Sequence, residues 1–99
     1  MAKLVRDRIP EIIKKDGSKP VFSTVPDSER EKLLREKILE EAEEFSEDGS
    51  IEEAADVLEV LLSYLELEGK DLKDLEEVRQ EKAEKRGSFR EGILLEDVI

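Results

Sequence analysis

Residues 34–65 read Leu34-Arg-Glu-Lys37-Ile38-Leu-Glu40-Glu41-Ala-Glu-Glu44-Phe45-Ser-Glu-Asp48-Gly49-Ser50-Ile51-Glu-Glu53-Ala-Ala-Asp56-Val-Leu58-Glu-Val60-Leu-Leu-Ser-Tyr64-Leu65. Leu34, Ile38, Glu41 and Phe45 recur at helical spacing, and a second run from Ile51 is apolar over a wide arc. Asp48-Gly49-Ser50 is a turn between them. The stretch therefore predicts two amphipathic helices joined by a minimal connection. Each carries an acidic cluster, Glu40-Glu41-Ala-Glu-Glu44 on the first and Glu53-Ala-Ala-Asp56 on the second. Carboxylates three residues apart on a helix share a face, with Cβ atoms roughly 5–6 Å apart. Two such pairs facing each other form an all-oxygen cage suited to a hard divalent cation.

Working outward, Ile9–Asp16 is expected to be a short helix, with Pro10 at a first helical position and Gly17 as a left-handed stop. Lys19–Val25 is expected to be extended, since its β-branched content and Pro20 suit a short edge strand. The helix with the first acidic cluster is expected to begin at Asp27 or Ser28, with Ser28 and Glu31 forming a capping box, and to run to about Glu47. The next covers roughly Ile51–Glu68, and the width of its apolar arc calls for burial on two sides, as in a bundle or a dimer interface. Gly69 ends it. Asp71 caps a fourth helix that stops at Gly87. The tail Gly92–Ile99 reads as a strand able to pair with Val21–Val25, within the chain or between chains. Phe22 and Phe89 are expected to plug the core. The expected fold is thus all-α: a four-helix, bundle-like single domain over residues 1–99 with two short extended segments.

Composition narrows the function. A 99-residue chain buries only roughly 60–65% of its unfolded surface, so oligomerisation is a natural way to bury more. The net charge is −11, which repels nucleic-acid backbones and anionic membranes. A small anionic substrate still binds if a cation bridges it to the acidic clusters. No apolar run reaches the roughly 20 residues of a membrane span, and the opening Met1-Ala-Lys3-Leu-Val-Arg6 lacks the apolar stretch of a signal peptide, so a cytoplasmic location is expected. The chain has no His and no Cys. Any catalytic metal must therefore be held by carboxylates, and a nucleophilic Ser–His or Cys–His arrangement is excluded. With no Asn, one Gln and abundant Lys and Glu, the composition carries the bias of hyperthermophile proteins and points to a thermophilic source.

Several acidic positions have competing readings. Glu41 lies within an apolar stripe, where a charge is costly unless paired or metal-bound; a salt bridge to a nearby Lys or Arg is the plain account. Lys37, seven residues back on the same face, is placed to neutralise Glu44. Glu53 completes a Ser50-x-x-Glu53 capping box and also suits the helix dipole, and capping competes with metal binding. Asp56 is either part of a solvated face or functional; Asp is a poor former of helix interiors.

Four motifs together carry a resemblance: the opening Lys3-Leu-Val-Arg6-Asp7-Arg-Ile-Pro10, the acidic run at 40–44, Glu53-x-x-Asp56, and the late Lys82-Ala-Glu-Lys-Arg86-Gly87-Ser-Phe89. Over nearly its whole length the chain resembles the MazG-like all-α nucleoside triphosphate pyrophosphohydrolases. It looks most like the small house-cleaning branch, also labelled phosphoribosyl-ATP pyrophosphohydrolase-like. The resemblance implies that Glu41, Glu44, Glu53 and Asp56 bind Mg²⁺, with Mn²⁺ as a substitute. It makes Glu40, the first motif glutamate, and Glu41 the catalytic candidates. Lys82 and Arg86, with Lys3 and Arg6, would meet the phosphates of a small nucleotide. For Lys82 and Arg86 the bland account is the helix C-terminus, where cations gain ~0.3–1 kcal/mol. Cleavage between the α- and β-phosphates to monophosphate and pyrophosphate, in a homodimer or homotetramer, is the activity implied. Phosphoribosyl-ATP hydrolysis on the same site, and a non-enzymatic helical interaction module, are the alternatives. The interval between Glu44 and Glu53 is shorter than the superfamily motif usually has, which draws the two acidic segments together.

Overall fold

The computed structural model describes residues 2–99. It is all-α, with four helices and no strand among the described residues: α1 (Ile9–Lys15), α2 (Asp27–Asp48), α3 (Ile51–Leu67) and α4 (Leu72–Arg86). The chain falls into two compact units, one ending at Gly69 and the other spanning Lys70–Ile99.

In the first unit, α2 and α3 pack on each other. Only Gly49 and Ser50 join them, so the pair is an antiparallel helical hairpin. Gly49 adopts a left-handed φ of 68° and returns its N–H to the Phe45 carbonyl at 2.7 Å, a conformation that a Cβ would penalise. Ser50 then takes an extended conformation, and its hydroxyl accepts the Glu53 backbone N–H at 3.2 Å. This single cap starts α3 where the chain must reverse. Removing such a cap costs typically ~1 kcal/mol. Ser50→Ala is therefore expected to lower the melting temperature by roughly 4–8 °C, measurable by circular dichroism.

Across the hairpin, Tyr64 ties α3 to α2. Its hydroxyl accepts from Arg35 at 2.7 Å and donates towards Glu31 at 3.4 Å. The Arg35 guanidinium also lies 5.3 Å from the ring centroid, within cation–π range. The buried set is small: among the described residues Leu34 is 5% exposed and Glu41 is 8% exposed. A carboxylate thus holds one of the best-buried places in the unit. The wide apolar arc of α3 is not fully covered, since Ile51 and Leu58 remain exposed, as does Leu39 of α2.

Three sequence expectations are corrected. The Ser28–Glu31 capping box does not form, because the extended Pro26 is the N-cap and Ser28 already lies inside α2. Lys19–Val25 and Gly92–Ile99 form no strand; β propensity describes fit to a paired surface, and neither segment finds one. Phe22 and Phe89 are exposed rather than core plugs; the Phe22 ring instead sits 5.8 Å from the Lys14 ammonium.

In the second unit, α4 opens on a complete capping box. Asp71 accepts from the Asp74 N–H at 3.0 Å and Asp74 accepts from the Asp71 N–H at 2.9 Å. The helix ends at Gly87.

Candidate metal centre

The hairpin brings together three of the four carboxylates that the sequence singles out for metal binding. Glu41 from α2 and Glu53 and Asp56 from α3 each offer an oxygen, and these oxygens lie within 4.8 Å of one another. Glu53 and Asp56 share a face because they are three residues apart, and Glu41 reaches them from the facing stripe of α2. An ion of Mg²⁺ size, ~2.1 Å from its ligands, spans at most ~4.2 Å between opposite oxygens.

The charge balance within the cluster is uneven. Arg6 donates to Asp56 at 2.6 Å, across 50 residues of sequence, and anchors the N-terminal segment to α3. Lys37 stands 3.4 Å from Glu41 Oε1 and from both oxygens of Glu40, longer than a good charge-assisted bond at ~2.7–2.9 Å. It pairs with these two rather than with Glu44. Two oxygens are left over: Glu41 Oε2 and Glu53 Oε2 are buried and have no hydrogen-bond partner among the described residues. Native proteins rarely leave such groups unpaired. Lys37 accounts for one oxygen of Glu41, and a Glu44 carboxyl that keeps its proton is a competing partner for that carboxylate. These orphaned oxygens, together with an all-oxygen donor set, fit a hard divalent cation.

The expected Ser50–Glu53 capping box forms only by half: the Ser50 hydroxyl caps α3, and the Glu53 carboxylate makes no return bond to the Ser50 N–H. The Glu53 backbone N–H takes the Ser50 cap, while its carboxylate turns into the acidic cluster. Burial first, and then the charges of Asp56, Glu41, Asp48 and Glu52, push the Glu53 carboxyl above its ordinary value. Glu44 is exposed on the edge of the cluster and outside the converging three. Its carboxyl is also raised, chiefly by hydrogen-bonding approach to Glu41 and then by the Glu41 charge, burial, and the charges of Glu53 and Glu40.

These shifts have a testable sign. A carboxyl raised on folding holds its proton in the folded chain at a pH where the unfolded chain has lost it, so its contribution to stability falls as pH rises through that window. Glu76, lowered chiefly by its hydrogen bond from Arg79, contributes oppositely and at lower pH. The metal-free protein is therefore expected to melt at a higher temperature near pH ~5 than at pH ~7. Saturating Mg²⁺ is expected to abolish that difference, since it favours the ionised cluster. Thermal melts at the two pH values, with and without Mg²⁺, check both statements.

A cleft of about 630 Å³ opens beside the cluster, within the usual size range for small-molecule sites. Lys3 and Arg6 of the N-terminal segment, Arg30, Leu34, Lys37 and Glu41 of α2, and Asp56 and Val60 of α3 are on its wall. The two N-terminal candidates, Lys3 and Arg6, are both on this wall. Lys82 and Arg86 stand exposed on the last turns of α4, in the other unit. Glu40, the other catalytic candidate, is not part of the cleft wall and faces Lys37. Sequence reasoning passed over Arg30 and Lys37 as cleft cations. Their spacing with Leu34 and Glu41, at intervals of four, three and four residues, places all four on one helical face and was a usable signal.

Compared with family models, curated proteins and solved structures, the chain matches none. No helix of the described residues is long and apolar enough to cross a membrane.

Proposed function

We propose that the protein is a Mg²⁺-dependent nucleotide pyrophosphohydrolase of the MazG-like type, cleaving a nucleoside triphosphate, expected to be non-standard, to a monophosphate and pyrophosphate. The observation that carries this reading is the convergence of Glu41, Glu53 and Asp56 with two buried, unpartnered carboxylate oxygens, beside a cleft of about 630 Å³ whose wall carries Lys3, Arg6, Arg30 and Lys37 among acidic side chains that include Asp7, Glu59 and Glu66. Glu41, Glu53 and Asp56 are the residues that would hold the ion, with Glu44 at the edge. When bound, the ion would polarise phosphoryl oxygens, acidify a water and offset the charge of the leaving group.

The remaining work falls to the chain's own side chains. Leu34 and Val60 give the cleft an apolar floor for the uncharged part of the substrate. Arg6 and Lys3 meet anionic oxygens from the N-terminal side, where a guanidinium can engage two of them at once. Glu40 holds Lys37 in position. With no His and no Cys in the chain, direct attack by water is the economical route. The exposed Leu39, Ile51 and Leu58 fit a homo-oligomer in which a second copy of the chain covers the hairpin.

The test is incubation with a panel of standard and modified nucleoside triphosphates, and with phosphoribosyl-ATP, in Mg²⁺, reading pyrophosphate release. Release from at least one triphosphate, lost on chelation, is the expected result. Release from phosphoribosyl-ATP alone would move the same site to histidine biosynthesis. A silent panel from a chain that also fails to bind a divalent ion would leave a helical interaction module as the better reading.

A further inference from the structure

Lys37 is the least exposed of the ion-paired cations in the first unit, with 16% of its side chain accessible. It lies on the cleft wall, yet its ammonium spends its charge on Glu40 and Glu41 at 3.4 Å. Those contacts are long, and Glu41 is also one of the three converging carboxylates. A dication held by Glu41 would neutralise the charge that Lys37 faces and would repel the ammonium at close range. The side chain is flexible, with a compact, rotatable ammonium. Its alternative is the cleft, whose wall mixes Lys3, Arg6 and Arg30 with Asp7, Asp56, Glu59 and Glu66, and where a bound anion would add a partner for it. Arg30 lies on the same face of α2, seven residues earlier and hence ~10 Å along the axis; it too is on the cleft wall. Its one ion pair is local and exposed, with Asp27 at 2.8 Å.

We propose that Lys37 is a phosphate-binding residue whose site is completed by a divalent ion on the acidic cluster, and that the ligand is an oligophosphate running from the ion past Lys37 towards Arg30. Binding is then ordered, cation before anion, and one ammonium serves in turn as counter-ion to the empty cluster and as ligand to the phosphate chain. This rests on the metal reading above but assigns residues and an order that the reading does not contain.

The experiment is calorimetric titration with Mn²⁺ alone, and then with inorganic triphosphate in Mn²⁺-saturated or chelator-treated protein. The wild-type chain is expected to bind triphosphate at least tenfold more tightly with Mn²⁺ than without. Lys37→Gln is expected to bind Mn²⁺ as tightly as wild type or up to a few-fold more tightly, because a competing cation is gone, while losing tenfold or more in triphosphate affinity. Lys37→Arg should restore most of that affinity. Arg30→Gln, an exposed position with only a local partner, gives a second reading and is expected to lose roughly threefold, in Mn²⁺ only. Unchanged triphosphate affinity in Lys37→Gln, or equal losses of Mn²⁺ and triphosphate affinity, would overturn the proposal and make Lys37 a structural partner of Glu41. Triphosphate binding that ignores Mn²⁺ would do the same. Failure of the wild-type chain to bind Mn²⁺ would remove the metal reading and this proposal together.

Discussion

Replacing Glu41 with Gln is expected to cut pyrophosphate release by at least about a hundredfold and to abolish measurable Mn²⁺ binding, with little loss of folding. Glu41 is the central carboxylate of the cluster, 8% exposed, with one oxygen near Lys37 and the other unpartnered. Metal-ion charge stabilisation is worth several kcal/mol, and each ~1.4 kcal/mol is tenfold in rate, which sets the scale. The substitution keeps the shape and removes a buried charge that lacks a full set of partners. Lys37 retains Glu40 at 3.4 Å, so no cation is stranded. The melting temperature of the metal-free variant is accordingly expected to equal or exceed that of the wild type. Asp56→Asn should behave similarly in turnover, while also releasing Arg6 from its 2.6 Å contact. Full turnover by both variants would place the chemistry elsewhere.

Mg²⁺ itself is expected to be the strongest stabiliser of this fold. A ligand at 100 times its dissociation constant that binds only the folded chain adds ~2.7 kcal/mol. For a domain of this size that corresponds to a rise of roughly 10–20 °C in melting temperature. The reason lies in the cluster, where neighbouring carboxylates raise the Glu53 and Glu44 carboxyls and local cations are too few to offset them. A chain of net charge −11 also gains from general screening. The proper control is therefore KCl at equal ionic strength, which should give only a small part of the rise. Glu41→Gln should lose the Mg²⁺-specific part and keep the screening part.

How much of this was legible in the sequence depended on whether the signal was local. Gly17, Gly49, Gly69 and Gly87 mark helix ends to within a residue or two, and Ser50 and Asp71 mark starts, because caps act through neighbouring backbone groups. The Ser28 box failed for an equally local reason: Asp27 had already entered the helix, so Pro26 took the capping place. The two segments read as strands are free of helix but unpaired, because strand formation needs a distant partner that composition does not supply. Glu41 was legible since a charge inside an apolar stripe demands an explanation, and burial confirms its unusual setting. The Glu53 carboxylate was read as either completing the Ser50 box or joining the acidic cluster; Ser50 caps α3 without it, and the carboxylate lies in the cluster. The Arg6–Asp56 contact, which closes 50 residues of sequence, and the place of Lys37 and Arg30 on the cleft wall depend on tertiary packing. Only the helical spacing of the last two pointed that way.

The most direct measurement is the anomalous diffraction map of crystals equilibrated with Mn²⁺. The account predicts a peak bound by carboxylate oxygens of Glu41, Glu53 and Asp56, each ~2.0–2.3 Å from the ion. A map in which saturating Mn²⁺ leaves that position empty, with the three side chains turned apart into solvent, would contradict it.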